Sequence, residues 1–304
     1  MQRLKRLEEG EWLAQRFEEH RARLRGVAYR MLGSVTEADD AIQEAWLRLS
    51  RSEASDIENL GGWLTTVVAR VCLNMLRSRN SRREQPLEPD SDVHVPDPII
   101  SRETSFDPEH AALMADSVGL ALLVVLETLA PPERLAFVLH DMFGVSFDEI
   151  ADILGRSSTA ARQLASRARR RVQGTPVPDA DISAQRKVVD AFFAASRRGD
   201  FEGLLAVLDP DIVIRSDGGS RRRNITTILR GAEDVAASAL TFRQWAGFIR
   251  PALINGVAGA VVIGPNGLPF SVMAFTVRGG RIVEVDAIVD PERLARMDFT
   301  VLDD

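Results

Sequence analysis

Cysteine is nearly missing from this chain of 304 residues, Cys72 being the only one. An internal disulfide framework is therefore excluded, and among Val68, Val71, Met75 and Leu76 the thiol reads as a small buried hydrophobe in a reducing compartment. The four histidines, His20, His94, His110 and His140, lie far apart, with no cysteine-rich or His-Glu-x-x-His setting. That pattern assigns no metal site. Long apolar runs are lacking as well: Val118 to Leu126 is far too short to span a bilayer. The charged amphipathic stretch from Met1 to Glu19 has neither the apolar core nor the cleavage site of a signal peptide. A cytoplasmic protein without a membrane partner is expected. Nor is there an excess of positive charge, since 38 Lys and Arg face 44 Asp and Glu for a net charge of −6. An indiscriminately basic nucleic-acid binder is thereby excluded.

Against this acidic background stand two segments with no acid at all. Trp63 to Arg83 holds Arg70, Arg77, Arg79, Arg82 and Arg83, and Arg156 to Arg171 holds Arg156, Arg162, Arg167, Arg169, Arg170 and Arg171. Two separate basic elements point to two local contacts with nucleic acid. In the second, Phe147 to Leu154 and Ser158 to Arg171 flank Gly155, Arg156 and Ser157, which is helix-turn-helix spacing. Ile150, Ile153 and Leu154 then face Ala161, Leu164 and Ala168, leaving Ser158, Thr159, Arg162, Gln163, Ser166 and Arg167 outward. Arg and Gln suit base edges, Ser and Thr suit phosphates. Taken alone, the same residues also fit a helical hairpin with a solvated basic face.

In the first segment Trp63, Thr66, Arg70, Asn74 and Arg77 recur at three and four residues on one stripe, opposite Leu64, Val68, Val71, Cys72 and Met75. Arginines, amide and hydroxyl beside an aromatic suit a separated DNA strand; Trp63 as a core anchor is the alternative. Asp39, Asp40, Gln43 and Glu44 share a face opposite Ile42, Trp46 and Leu49. Those acids would repel DNA and suit a basic protein partner or plain solvent.

Residues 1–85 read as one helical domain and 111–174 as a second, with Pro131 and Pro132 opening a helix. Between them 86–110 is rich in Pro, Asp and Ser and reads as a flexible linker. Residues 180–298 change class: helices at Ala184 to Ala195 and Phe201 to Leu208 precede strand-like Asp211 to Ser216, Ala252 to Val257, Ala260 to Gly264, Phe270 to Val277 and Arg281 to Val289, as in an α+β domain.

Four segments in order, Tyr29-Arg-Met-Leu-Gly, Asp39-Asp-Ala-Ile-Gln-Glu-Ala-Trp-Leu-Arg-Leu, Gly62-Trp-Leu-Thr-Thr-Val-Val-Ala-Arg and Asp148-Glu-Ile-Ala-Asp-Ile-Leu-Gly, resemble the extracytoplasmic-function (ECF) sigma factors of bacterial RNA polymerase. The resemblance implies two all-α sigma domains, a region two bundle and a region four helix-turn-helix. It implies core RNA polymerase and promoter DNA as partners, no cofactor and no catalytic residue. Asp39, Asp40, Gln43 and Glu44 become polymerase contacts. Trp63, Thr66, Arg70, Asn74 and Arg77 fall in the minus-ten segment, and Ser158, Thr159, Arg162, Gln163 and Arg167 on the minus-thirty-five helix.

The third part, through Phe192 to Leu205, Ser216-Asp-Gly-Gly-Ser, Leu229-Arg-Gly-Ala-Glu and Asp290-Pro-Glu-Arg-Leu, resembles the SnoaL-like extension of one ECF group. That implies an α+β cone with a curved antiparallel sheet, acting in cis on regions two and four. The implied regulatory residues are Pro96, Asp97, Pro98, Asp217, Gly218, Gly219, Asp290, Pro291 and Leu294. A Trp-Leu-Pro-Glu-Pro linker motif of the group corresponds here to His94-Val95-Pro96-Asp97-Pro98, with His in place of the aromatic. Asp217 reads as the cap of the glycine turn; as a buried acid it would be a catalytic base. The alternative function is thus a DNA-binding regulator fused to a ligand-binding or enzymatic SnoaL-like domain, and a small ligand of that domain stays open.

Overall fold

The computed structural model describes residues 2–52, 57–83, 93–102 and 119–302, in two compact units. One holds residues 2–52, 57–83 and 125–173; the other holds 93–102, 119–124 and 174–302. Of the expected linker, 86–92 and 103–110 fall outside the described residues, as do 111–118 of the expected second helical domain.

In the first unit α1 (Gln2–Leu32), α2 (Val35–Leu49) and α3 (Leu60–Arg83) pack on one another. Their apolar residues recur at helical spacing, so each helix offers one stripe to a shared core. Leu24, Val27 and Met31 of α1, Ala41, Ala45 and Leu49 of α2, and Leu64, Val68 and Cys72 of α3 are buried there. Ser34 accepts from the Glu37 amide and starts α2 immediately after α1 ends.

The helices α4 (Leu120–Glu127), α5 (Pro131–Phe137), α6 (Phe147–Leu154) and α7 (Ser158–Val172) follow. Both prolines sit in the first turn of α5, where no amide hydrogen is needed, and the helix runs on into a π turn at Val138–Met142. Ser146 and Glu149 form a reciprocal cap on α6. Gly155, at φ 64°, ends that helix in a left-handed conformation, and Ser157 caps α7. This three-residue turn folds α7 back so that Ile150 and Ile153 share a core with Ala161, Leu164 and Ala168.

The second unit contains α8 (Ile182–Arg198), α9 (Phe201–Val207) and α10 (Ala232–Thr241) on a seven-stranded sheet. Its strands are β1 (Ile100–Ser101), β2 (Leu208–Asp217), β3 (Thr227–Arg230), β4 (Ile249–Ile254), β5 (Val257–Ile263), β6 (Pro269–Arg278) and β7 (Arg281–Ile288), in the order β1-β4-β5-β6-β7-β2-β3. Phe192 and Phe193 of α8 meet Phe275 of β6 edge-on at 5.6 and 5.4 Å. Val189, Leu204, Leu208, Val235 and Val285 complete that core.

The curved antiparallel cone expected from the resemblance is not what forms. The sheet is mixed, because β2 pairs with β7 in parallel while the other pairs are antiparallel. It is also open, with β1 at one end and β3 at the other. The chain leaves β2 through β3, crosses by α10 and re-enters at β4, so the meander β4 to β7 returns beside β2 running the same way. A parallel neighbour requires such a helical crossover. The end strands, of two and four residues, offer ladders too short to close the sheet.

Candidate nucleic-acid interface and linker clasp

On α7 the buried side is Ala161, Leu164, Ala165 and Ala168. The 3.6-residue period therefore turns Thr159, Arg162, Gln163, Ser166 and Arg167 outward, and all five are exposed. The Arg162 guanidinium carbon lies 5.5 Å from the Phe147 ring centre, a cation–π contact made by a side chain that stays exposed. Ser158 differs from its neighbours: half-buried in the first turn, it donates its hydroxyl to the Asp148 carboxylate. In the last turn Arg169 pairs with Asp141 at 2.5 Å and Arg171 donates to the Thr128 carbonyl at 3.1 Å, so these two cations tie the helix down.

On α3, Arg70, Asn74 and Arg77 are exposed, Trp63 and Thr66 half-buried. Arg70 donates to the Asp152 carbonyl of α6 at 3.3 Å. Thr66, with Gly61 and Gly62, lines a groove of about 350 Å³ whose other wall is Glu149 and Ile153 of α6. In this conformation Thr66 and Arg70 of the polar stripe thus look onto α6. Arg134 of α5 is buried and donates to the Arg30 carbonyl at 3.1 Å, and its Nη2 is without a partner. Burial pulls the Arg134 pKa down to about 10 and pushes the Cys72 thiol up to about 12.

The acidic face of α2 is only partly open. Asp39 takes two bonds from Arg25 at 2.6 and 3.0 Å, and Glu44 takes one from Arg48 at 2.8 Å. Asp40 and Gln43 are exposed.

In the second unit residues 93–99 run without helix or strand, with Val95, Pro96, Pro98 and Ile99 buried. They are held by Asp217, itself buried at the end of β2. One carboxylate oxygen caps the glycine turn through the Gly219 amide at 3.1 Å. The other accepts from the Val95 amide at 3.0 Å and from Arg293 at 2.7 Å, and lies 3.2 Å from His94 Nδ1. Burial opposes the charge on Asp217, but the His94 and Val95 bonds and the Arg293 charge outweigh it and hold the carboxyl below its ordinary range. Arg293, on α11 (Pro291–Leu294), also binds Asp97 at 2.6 Å and the Val95 carbonyl at 2.5 Å. Asp290 caps α11 through the Glu292 amide, and Leu294 is buried beneath it. A Cβ on Gly218 would stand 2.3 Å from the Arg222 carbonyl, and one on Gly219 2.3 Å from Asp290. Only glycine fits both positions. Asn255 completes the attachment by exchanging bonds with both backbone groups of Ile99, at 2.8 and 2.9 Å, next to the β1–β4 pairing.

The sequence alone does not mark Arg293, His94 and Asn255 as holding residues. The base in Asp-Pro-Glu-Arg-Leu was a usable signal for the first, whereas Asn255-Gly256 reads only as a turn.

A second charged cluster lies where Arg215 of β2 meets Glu284 and Asp286 of β7. Burial and the neighbouring Glu284 push Asp286 up to about 7, against the opposing pull of Arg215. The folded chain therefore holds a proton there that the unfolded chain releases near pH 4. Stability from this site is complete below pH 4 and is lost as pH rises through 7, while Asp217, shifted down, acts only below that window. Urea unfolding of the chain between pH 5 and 8 should show stability falling with pH, and Asp286→Asn should flatten the slope. An unchanged slope in the variant would remove Asp286 as its source.

A helical bundle with one basic helix, followed on the same chain by a helix-turn-helix, is the anatomy of a sigma factor. Residues 16–82 match Sigma-70 region 2 and residues 119–172 match Sigma-70, region 4. The chain is 37% identical over 293 residues to the ECF RNA polymerase sigma factor SigJ of Mycobacterium tuberculosis, covering 91% of each. It is 36% identical over 281 residues to the probable ECF RNA polymerase sigma factor SigI of that organism, covering 90% of this chain and 92% of SigI. The crystal structure of Mycobacterium tuberculosis SigJ superposes with a TM-score of 0.75 at 35% identity, over 93% of this chain and 98% of that one. The chain belongs to the ECF RNA polymerase sigma factors, which direct transcription initiation and are not enzymes. Among the described residues no helix is long and apolar enough to cross a membrane.

Proposed function

We infer that this protein is a promoter-specificity subunit whose second unit acts in cis by holding residues 93–102, the stretch that joins the two helical domains in sequence. The observation that carries the reading is the outward polar face of α7, within the stretch that matches region four. Arg162, Gln163, Thr159 and Arg167 meet the minus-thirty-five element there, Arg162 and Gln163 reading base edges and Arg167 a phosphate. Ser158, spent on Asp148, positions the helix start. Trp63, Thr66, Arg70, Asn74 and Arg77 meet the minus-ten strand, for which the groove against α6 must open.

The clasp supports the regulatory half of the reading. Pro96, Asp97 and Pro98 form the held segment, while Asp217, Gly218, Gly219, Asp290, Pro291 and Leu294, together with Arg293, shape its seat. The glycine turn and the Asp290-to-Leu294 motif support a distant kinship of this unit with SnoaL-like modules, and a small molecule received there would be its signal. The site of action is the cytoplasm.

Core polymerase meets α2 through Asp40 and Gln43, with Asp39 and Glu44 braced by Arg25 and Arg48. Reversing the exposed Asp40 to Lys should weaken binding to purified core polymerase at least about tenfold, since misplaced like charges at an interface cost several kcal/mol. Its circular dichroism should stay that of the parent. Asp39→Lys should lower thermal stability too, because it breaks the Arg25 pair. Undiminished polymerase affinity in both variants would move the contact elsewhere.

A further inference from the structure

Between α8, α10 and one face of the sheet lies a cavity of about 140 Å³. Its walls include Phe192, Phe193 and Met273, with Phe242 and Trp245 beside them, and no charged side chain lines it. Five hydroxyl-bearing residues also line it, Ser196 and Ser238 on the helices and Ser216, Thr227 and Ser271 on the strands. Trp245 is stacked on Phe270 at 4.3 Å and 10°, and the Arg222 guanidinium sits 4.7 Å from the Phe270 ring, so this side is a stacked aromatic layer. A cavity of about 150 Å³ with apolar walls holds a benzene ring. The volume is too small for a peptide segment. Absence of a charged wall residue makes any ion pay its full desolvation unpaired.

We propose that this cavity is a binding site for an uncharged one-ring or fused two-ring aromatic molecule bearing a single hydrogen-bonding group, of the phenol or indole class. The ring fills the space between Phe193, Met273 and Trp245, and the polar group meets the hydroxyls of Ser216, Thr227 or Ser271. The proposal rests on the reading of the second unit as a regulatory domain in one respect, that occupancy reaches the clasp. Ser216 in the wall precedes Asp217, Val289 in the wall donates its amide to the Asp217 carbonyl at 2.8 Å, and Arg222 ties the Phe270 and Val289 carbonyls together at 3.3 and 2.9 Å.

The test is calorimetric and saturation-transfer titration of the full chain with phenol and with indole, using benzoate and benzylammonium as charged comparators of similar size. Phenol or indole should bind at least tenfold more tightly than either comparator. Ala287→Leu, which adds bulk to the buried wall, should lower that affinity at least tenfold. Thr227→Val keeps the shape and serves where the filled variant fails to fold; it, or Ser271→Ala, should lower phenol affinity severalfold while leaving toluene binding unchanged. No binding of phenol or indole to the folded chain, equal binding of the charged comparators, or binding indifferent to all folded variants would overturn the proposal. Because binding is read directly, a ligand that binds without altering transcription counts against the cis-regulatory reading alone.

Discussion

Replacing Arg293 with Ala should release residues 93–99 from the second unit. Arg293 spans Asp217, Asp97 and the Val95 carbonyl, and its removal leaves the buried Asp217 carboxylate without its cation. Breaking a buried pair from one side costs about 3–5 kcal/mol; taking the low end for the half-exposed Asp97 arm, the open population should rise about 100-fold. Amide hydrogen exchange reads this directly. Exchange at Val95, whose amide is donated to Asp217, should accelerate by about that factor, with a smaller rise at Ile99, still held by Asn255. Asp217→Asn should be milder, because the amide oxygen still accepts from Val95 while the attraction for Arg293 is lost. Protection at Val95 equal to that of the parent in a folded Arg293→Ala chain would refute the clasp.

The second large effect belongs to α7. Arg162→Ala with Gln163→Ala should abolish most discrimination at the minus-thirty-five element, since each bidentate base contact is worth about 1–3 kcal/mol, roughly 5- to 150-fold. Both side chains are exposed, so melting temperature should hold. Arg167→Ala should instead weaken binding to all sequences alike and reduce the salt dependence by about one phosphate contact. Loss of affinity that is equal for cognate and scrambled elements in the double variant would reassign these residues to the phosphate backbone.

Much of the exposed face of α7 was legible because it is local. Ala161, Leu164 and Ala168 at helical spacing define the buried side, and the exposed side follows as its complement. Ser158 shows the limit: at the edge of that face, its hydroxyl is claimed by Asp148 across the turn, a bond that depends on how α6 meets α7. Five of the seven strands of the third part were legible, but the direction of β2 against β7 was not, since the crossover through α10 decides it and alternation along a strand carries no such information. Strands β1 and β3 are too short to show a period, and β1 lies in a proline-rich stretch. The glycine turn that the sequence shows accounts for one oxygen of Asp217, as its cap. The other is used by Val95, 122 residues earlier, and by Arg293, 76 residues later, pairings that periodicity cannot express. Arg134 reads as an ordinary charge in the first turns of α5 and is buried by tertiary packing alone.

In the reading proposed above, these bonds would give the second unit a lever on initiation. In that reading a held linker would limit how α3 and α7 are presented, and a released one would return that freedom. The direct measurement is transcript start mapping with purified core polymerase, comparing the intact chain, the Arg293→Ala chain and the Arg162→Ala, Gln163→Ala chain at matched folded concentrations. Starts at a fixed distance from minus-ten and minus-thirty-five elements are expected with the first two, in different yield, and their loss with the third. No promoter-dependent start from either the intact or the clasp-released chain would contradict the account.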